Sequence, residues 1–181
     1  MHRSSVIALL RSHANRASDA HEAAMVRETL HFVETHPDCL SRQCVPGHLT
    51  GSAWVVSPDR SQTLLTHHLK LDKWLQLGGH ADGDGDLLAV ARREAEEESG
   101  LATIRSVSIE LFDVDRHWIP ERRDEPGHFH YDLRFMFEAA PADALAISGE
   151  SKALAWVDLA QVVALNPEES MARMVRKTIA R

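Results

Sequence analysis

Glu94, Glu97 and Glu98 fall at i, i+3 and i+4 of the stretch 87–99, which reads as a helix. At those spacings the three carboxylates project to one side within a single turn. Like charges so placed cost a helix about 0.2–0.5 kcal/mol per pair, and a negative cluster near a helix C-terminus opposes the macrodipole. A hard divalent cation removes both penalties, because Mg2+ and Mn2+ prefer carboxylate oxygens and water. The competing reading is a solvated acidic face, partly offset by Arg92 and Arg93. The preceding loop favours the first reading, since Gly78-Gly79 lets backbone approach a ligand or metal closely.

The positioning elements follow from local signals. Asp86 is a good N-cap for the helix, Gly100-Leu101 a good stop, and Leu87, Leu88, Val90, Ala91 and Ala95 its buried side. Upstream, Ser4 or Ser5 can cap a helix over 6–16. Asp19 can cap a second, with Ala23, Val26, Leu30 and Val33 on one stripe, ended by His36-Pro37. From residue 48 the texture changes to strands: 51–57 and 63–68 as a hairpin about Pro58-Asp59-Arg60, then 103–114, 131–138 and 153–157. A last helix opens at Asn166, with Pro167 at its first position and Glu169 set for a capping box. Interleaved helices and strands predict an α/β or α+β architecture around a mixed sheet.

The segment GGHADGDGDLLAVARREAEEESGL resembles the Nudix box through Gly79, Arg93, Glu94, Ala95, Glu97, Glu98, Gly100 and Leu101. The chain is thus similar to the Nudix (MutT-like) hydrolases, of the nucleoside diphosphate sugar or ADP-ribose pyrophosphatase type. It departs once: Gly85 stands where the box has a glutamate, which in the family supports the helix, often by pairing with the arginine. Asp84 or Asp86 could pair with Arg93 instead. The resemblance implies an α/β/α sandwich around a mixed sheet, residues 46–181 as the Nudix domain, and 1–45 as an N-terminal helical extension. It also implies two to three Mg2+ or Mn2+ ions held by Glu94, Glu97, Glu98 and the Gly79 carbonyl. Arg93 would orient the glutamates, and Glu150, a further acid before the last strand, would be a ligand or general base. The implied reaction is attack of water on a phosphoanhydride, in which cations neutralise the diphosphate and lower the pKa of a bound water.

Other residues could meet a substrate. His128, His130 and Asp132 alternate on a strand reading of HFHYDLRF, so they share one face; metal ligation and lining of the pocket both fit. His80 follows the box glycine and could contact phosphate. Arg116 and Arg134 could pair with phosphate or with surface carboxylates. Trp54, Trp74, Trp118 and Phe129 could stack on a base, while Trp156 is expected in the core.

The net charge of −7 argues against a nucleic-acid partner, which needs a basic face. The expected partner is a small nucleoside diphosphate derivative. Cys39 and Cys44 form neither a zinc framework nor a disulfide scaffold and read as reduced thiols. The apolar run 6–10 is too short for a signal segment or membrane span, so a cytoplasmic, membrane-free protein is expected. The apolar stripe of the second helix could cover a sheet edge or form a homodimer interface, and the homodimer is the expectation. Three rival functions remain: a house-cleaning (d)NTP pyrophosphohydrolase, an isopentenyl diphosphate isomerase acting through Cys44, and a non-catalytic nucleotide-sensing module.

Overall fold

A computed structural model describes residues 2–17, 19–122, 126–149 and 151–180. Its helices are α1 (His2–Ala14), α2 (Ala20–Thr35), α3 (Leu87–Ser99), α4 (Leu159–Leu165) and α5 (Glu169–Ile179). Its strands are β1 (Gly47–Val56), β2 (Gln62–His68), β3 (Trp74–Leu75), β4 (Leu77–His80), β5 (Arg105–Ser106), β6 (Asp113–Ile119), β7 (His128–Glu138) and β8 (Ser151–Asp158). They form one sheet in the order β3-β2-β1-β7-β5, with β4 beside β1, β6 beside β7 and β8 beside β2. β2 runs antiparallel to β1, β3 and β8, and β7 antiparallel to β5 and β6. β1 and β7 run parallel: the Phe129 N–H donates to the Pro46 carbonyl, and ten residues on along both strands the Ala139 N–H donates to that of Val56. The expected α+β class with a mixed sheet is therefore present.

The residues gather into two compact units. The first comprises Met1–Gly51, Gly79–Val90 and Ile109–Phe135. In it, α1 begins before Ser4 and Ser5, so these serines are interior residues and not caps; the Ser5 hydroxyl donates to the Gly85 carbonyl at 3.3 Å. α2 is capped as expected, the Asp19 carboxylate accepting from the N–H groups of His21 and Glu22 at 2.8 and 3.0 Å. A buried His13–Glu22 contact of 2.7 Å joins α1 to α2. On the α2 stripe Val26 and Val33 are buried, and the adjacent Phe32 stacks on Tyr131 of β7 at 3.9 Å. Ala23 and Leu30 of the same stripe are half-buried.

The second unit comprises Ser52–Gly78, Ala91–Ser108 and Met136–Arg181. Trp54 is fully buried, and its indole N–H donates to Thr178 Oγ1 of α5 at 2.9 Å. The expected strand over 103–114 is instead the short β5 and the later β6, because two parts of β7 recruit them separately. α4 was not foreseen. It uses Asn166 as its C-cap, and the Asn166 side chain accepts from the Glu168 N–H at 3.1 Å, so α5 starts at Glu169 without the capping box. Trp156 is half-buried, with its indole nitrogen lacking a hydrogen-bond partner, and is not a core residue. Among the described residues, no helix is long and apolar enough to cross a membrane.

Candidate functional site

The helix α3 forms where its caps require. Asp86 Oδ1 accepts from the Ala89 N–H at 3.1 Å, and the Asp86 carbonyl from that of Val90 at 3.0 Å. At the other end Gly100 takes φ +69°, a left-handed conformation that glycine adopts without strain. A Cβ there would lie 2.6 Å from the Ala146 side chain. Between these ends Leu87, Val90, Ala91 and Ala95 are buried, which fixes the rotation of the helix and leaves the glutamates on the remaining faces.

The three glutamates have different surroundings. Glu98 is 9% exposed, and its Oε2 accepts from the Gly78 N–H at 3.2 Å. Gly78 sits at φ +155°, which excludes most side chains, so the glycine is what lets its amide meet Glu98. Glu94 is half-buried and accepts from Arg93 Nη2 at 3.2 Å; Glu97 is exposed. Arg93 is therefore a partner of Glu94. It does not take the expected aspartate partner, because Asp84 Oδ1 accepts from the Asp86 N–H and Asp86 caps α3. At Gly85, the departure from the box, Ser5 of α1 holds the carbonyl.

Around β7 the first unit carries a histidine cluster. His48 on β1 has ring centroids 4.9 Å from His80, 4.8 Å from His128 and 4.8 Å from His130; His117 of β6 lies 5.3 Å from His130. His128 Nδ1 meets the Pro126 carbonyl at 2.8 Å, and its Nε2 lies 3.2 Å from His130 Nε2. Burial and the neighbouring His80 and His128 lower the pKa of His48 to about 4, and burial lowers that of His130 as well. Arg116 pairs with Glu28 of α2 at 3.0 Å and lies over the Phe129 ring, 4.4 Å from its centroid. Arg134 is buried against the likewise buried carboxylates of Asp132, Asp113 and Asp115 at 2.7, 3.1 and 3.3 Å. Trp54 is closed to a base; Trp118, Trp74 and Phe129 are not in the core. Glu150 lies outside the described residues.

The profile of the NUDIX domain matches residues 48–178, well over half of the chain. The chain belongs to the Nudix family. A comparison with curated proteins finds no match. Among solved structures, a C. elegans Ap4A hydrolase complex is 16% identical, with the match covering 73% of this chain and 95% of that one at a TM-score of 0.59. A NUDIX-family hydrolase from Clostridium perfringens is 24% identical, with 74% and 97% covered and a TM-score of 0.54. The Nudix domain of Shewanella oneidensis NrtR, crystallised with ADP-ribose, is 15% identical, with 83% and 96% covered and a TM-score of 0.52. At these identities the likeness establishes the Nudix fold.

Two features of this Nudix chain had no sequence signal. His48 stands 80 residues from His128, and only the parallel register of β1 and β7 brings them together. Ser5 lies outside the Nudix domain, yet it bonds the loop where the box glutamate is missing.

Proposed function

We propose that the chain hydrolyses the phosphoanhydride of a nucleoside diphosphate linked to another moiety, of the nucleotide-sugar or ADP-ribose type, releasing a nucleoside monophosphate and a second phosphorylated fragment. The observation that carries this reading is Glu94, Glu97 and Glu98 on one turn of α3, with Glu98 fixed by the Gly78 amide. That donor set fits Mg2+ or Mn2+: the donors are hard oxygens, on a helix that carries more negative charge than its own arginines offset. Glu94, Glu97, Glu98 and the Gly79 carbonyl would hold two to three such ions, which when bound neutralise the diphosphate and acidify a water.

The chain's own residues supply the rest. The Gly78 amide keeps Glu98 in one rotamer, and Arg93 keeps Glu94 turned toward itself until a cation competes for the carboxylate. Glu150 is the proposed proton acceptor, by its place before the last strand. His80 and Arg116 are the proposed substrate contacts, and Arg116 would exchange Glu28 for a phosphate oxygen. His128, which is buried, and His130, which is half-buried, face each other and are left out of these contacts. The ADP-ribose bound to the NrtR Nudix domain supports the ligand class.

The test is a panel of nucleotide sugars, ADP-ribose and nucleoside triphosphates, with phosphate release measured with and without added phosphatase, at graded Mg2+ and Mn2+. Phosphatase-dependent release from the diphosphate derivatives supports the proposal. Turnover of triphosphates alone would move it to the house-cleaning pyrophosphohydrolases, and turnover indifferent to both ions would end it.

A further inference from the structure

His48, His128 and His130 offer ligand nitrogens that all lie within 4.8 Å of one another. We propose that these three imidazoles form a second metal site in this chain, selective for a borderline transition-metal ion of the Zn2+ class and chemically distinct from the carboxylate site on α3.

Three observations carry the assignment. The first is His48 itself. It is 1% exposed on β1, and neither of its ring nitrogens has a hydrogen-bond partner. A buried polar group left in that state destabilises the fold, so a core packing role does not account for a histidine at this position. A metal ion gives one of its nitrogens the partner it lacks.

The second is the tautomer of His128. A carbonyl oxygen only accepts, so the 2.8 Å contact with Pro126 places the proton of a neutral His128 on Nδ1. Its Nε2 therefore carries a lone pair and points toward His130. A ring N–H anchored on a backbone carbonyl is the usual support of a metal-bound histidine.

The third is spacing. Two nitrogens bound to one zinc ion at about 2.0–2.1 Å in a tetrahedral site stand about 3.3 Å apart. His128 Nε2 and His130 Nε2 are separated by 3.2 Å. A hydrogen bond between those two rings explains the same distance but leaves His48 unsatisfied, whereas an ion that draws the three rings together from the 4.8 Å within which their nitrogens lie resolves both facts. Imidazole donors suit zinc, copper, nickel or iron, and are poor ligands for Mg2+. His80, whose ring lies 4.9 Å from that of His48, is the candidate fourth donor.

The test uses the full chain, stripped with chelator and then titrated with Zn2+ in the presence of millimolar Mg2+. The expected result is one tightly held zinc per chain, and a Co2+ form with the visible absorption of a tetrahedral site. Imidazole 15N shifts in the wild-type protein should report coordination at His48, His128 and His130 among its 12 histidines. His48→Asn and His130→Gln, checked for folding by circular dichroism, should each weaken zinc binding by more than about 100-fold, since loss even of an outer-shell partner costs 10–100-fold. The triple variant Glu94→Gln, Glu97→Gln, Glu98→Gln should keep the zinc while losing turnover, which separates this site from the proposed catalytic one. The proposal is overturned if the wild-type chain takes up no zinc, if the three histidines do not shift, or if the glutamate variant loses the ion.

Discussion

Replacing Glu98 by glutamine separates the charge of α3 from its packing. Glutamine keeps the shape and an acceptor oxygen, so the bond from the Gly78 amide survives, but as a neutral pair. A hydrogen bond to a charged group is worth about 1.5–3 kcal/mol and a neutral one about 0.5–1.5, so the exchange loses roughly 1 kcal/mol. Removing one of two like charges at i, i+4, with Glu94 as the other, returns about 0.2–0.5 kcal/mol. The folded state should therefore be weaker by less than about 1 kcal/mol, or roughly 1–4 °C in melting temperature for a chain of this size. Turnover should behave quite differently. Loss of one charged ligand from a site that stabilises developing negative charge should lower kcat by at least about 100-fold, or roughly 2.7 kcal/mol of barrier. The assay pairs a thermal melt with kcat at saturating substrate and Mg2+. A Glu98→Gln enzyme turning over at the wild-type rate would refute the metal assignment. A melt lowered by more than about 8 °C would instead show Glu98 to be part of the scaffold.

Arg134→Met should unfold at markedly lower urea, with a loss of at least about 3–5 kcal/mol at pH 7, because Asp113, Asp115 and Asp132 are left buried without their cation. A loss below about 1 kcal/mol at pH 7 contradicts the network. Cys44 donates its thiol to Asp38 at 3.3 Å, and burial followed by that carboxylate pushes its pKa up to about 12. Iodoacetamide at pH 8 should therefore label Cys44 at least about 100-fold more slowly in the native chain than in urea, and Cys44→Ala should keep its turnover. Rapid native labelling, or an inactive Cys44→Ala, would revive the isomerase reading. The raised pKa also predicts stability lost as pH climbs from 9 toward 12, where the unfolded thiol ionises and the folded one does not.

What could be read from the chain was what neighbours in sequence decide. Asp19 and Asp86 cap their helices because a cap needs only an acceptor two or three residues from free amides. Gly100 stops α3 by its own φ, and Pro58-Asp59-Arg60 turns the hairpin of β1 and β2, with Arg60 at φ +58°. The misreadings arise where a residue's partner is distant. Ile109 and Leu111 favour a strand on propensity, yet β7 takes its partners on either side of them and Ile109 is 75% exposed. Asn166 has the chemistry of a helix start, but α4 arrives first and uses it as an end.

The histidine cluster is the sharpest instance. Alternation along HFHYDLRF placed His128, His130 and Asp132 on one face, and that inference concerns a single strand. What the face meets depends on β1, which lies alongside in parallel with an offset that no local rule supplies. Thr50 of β1 bonds Asp132 at 2.9 Å. Two residues earlier on each strand, the same register sets His48 beside His130. One face therefore carries an ionic network with Arg134 at one step and a cluster of imidazoles at the next. A single strand fixes which side chains are neighbours; the chemistry they perform together is decided by the strand that pairs with it.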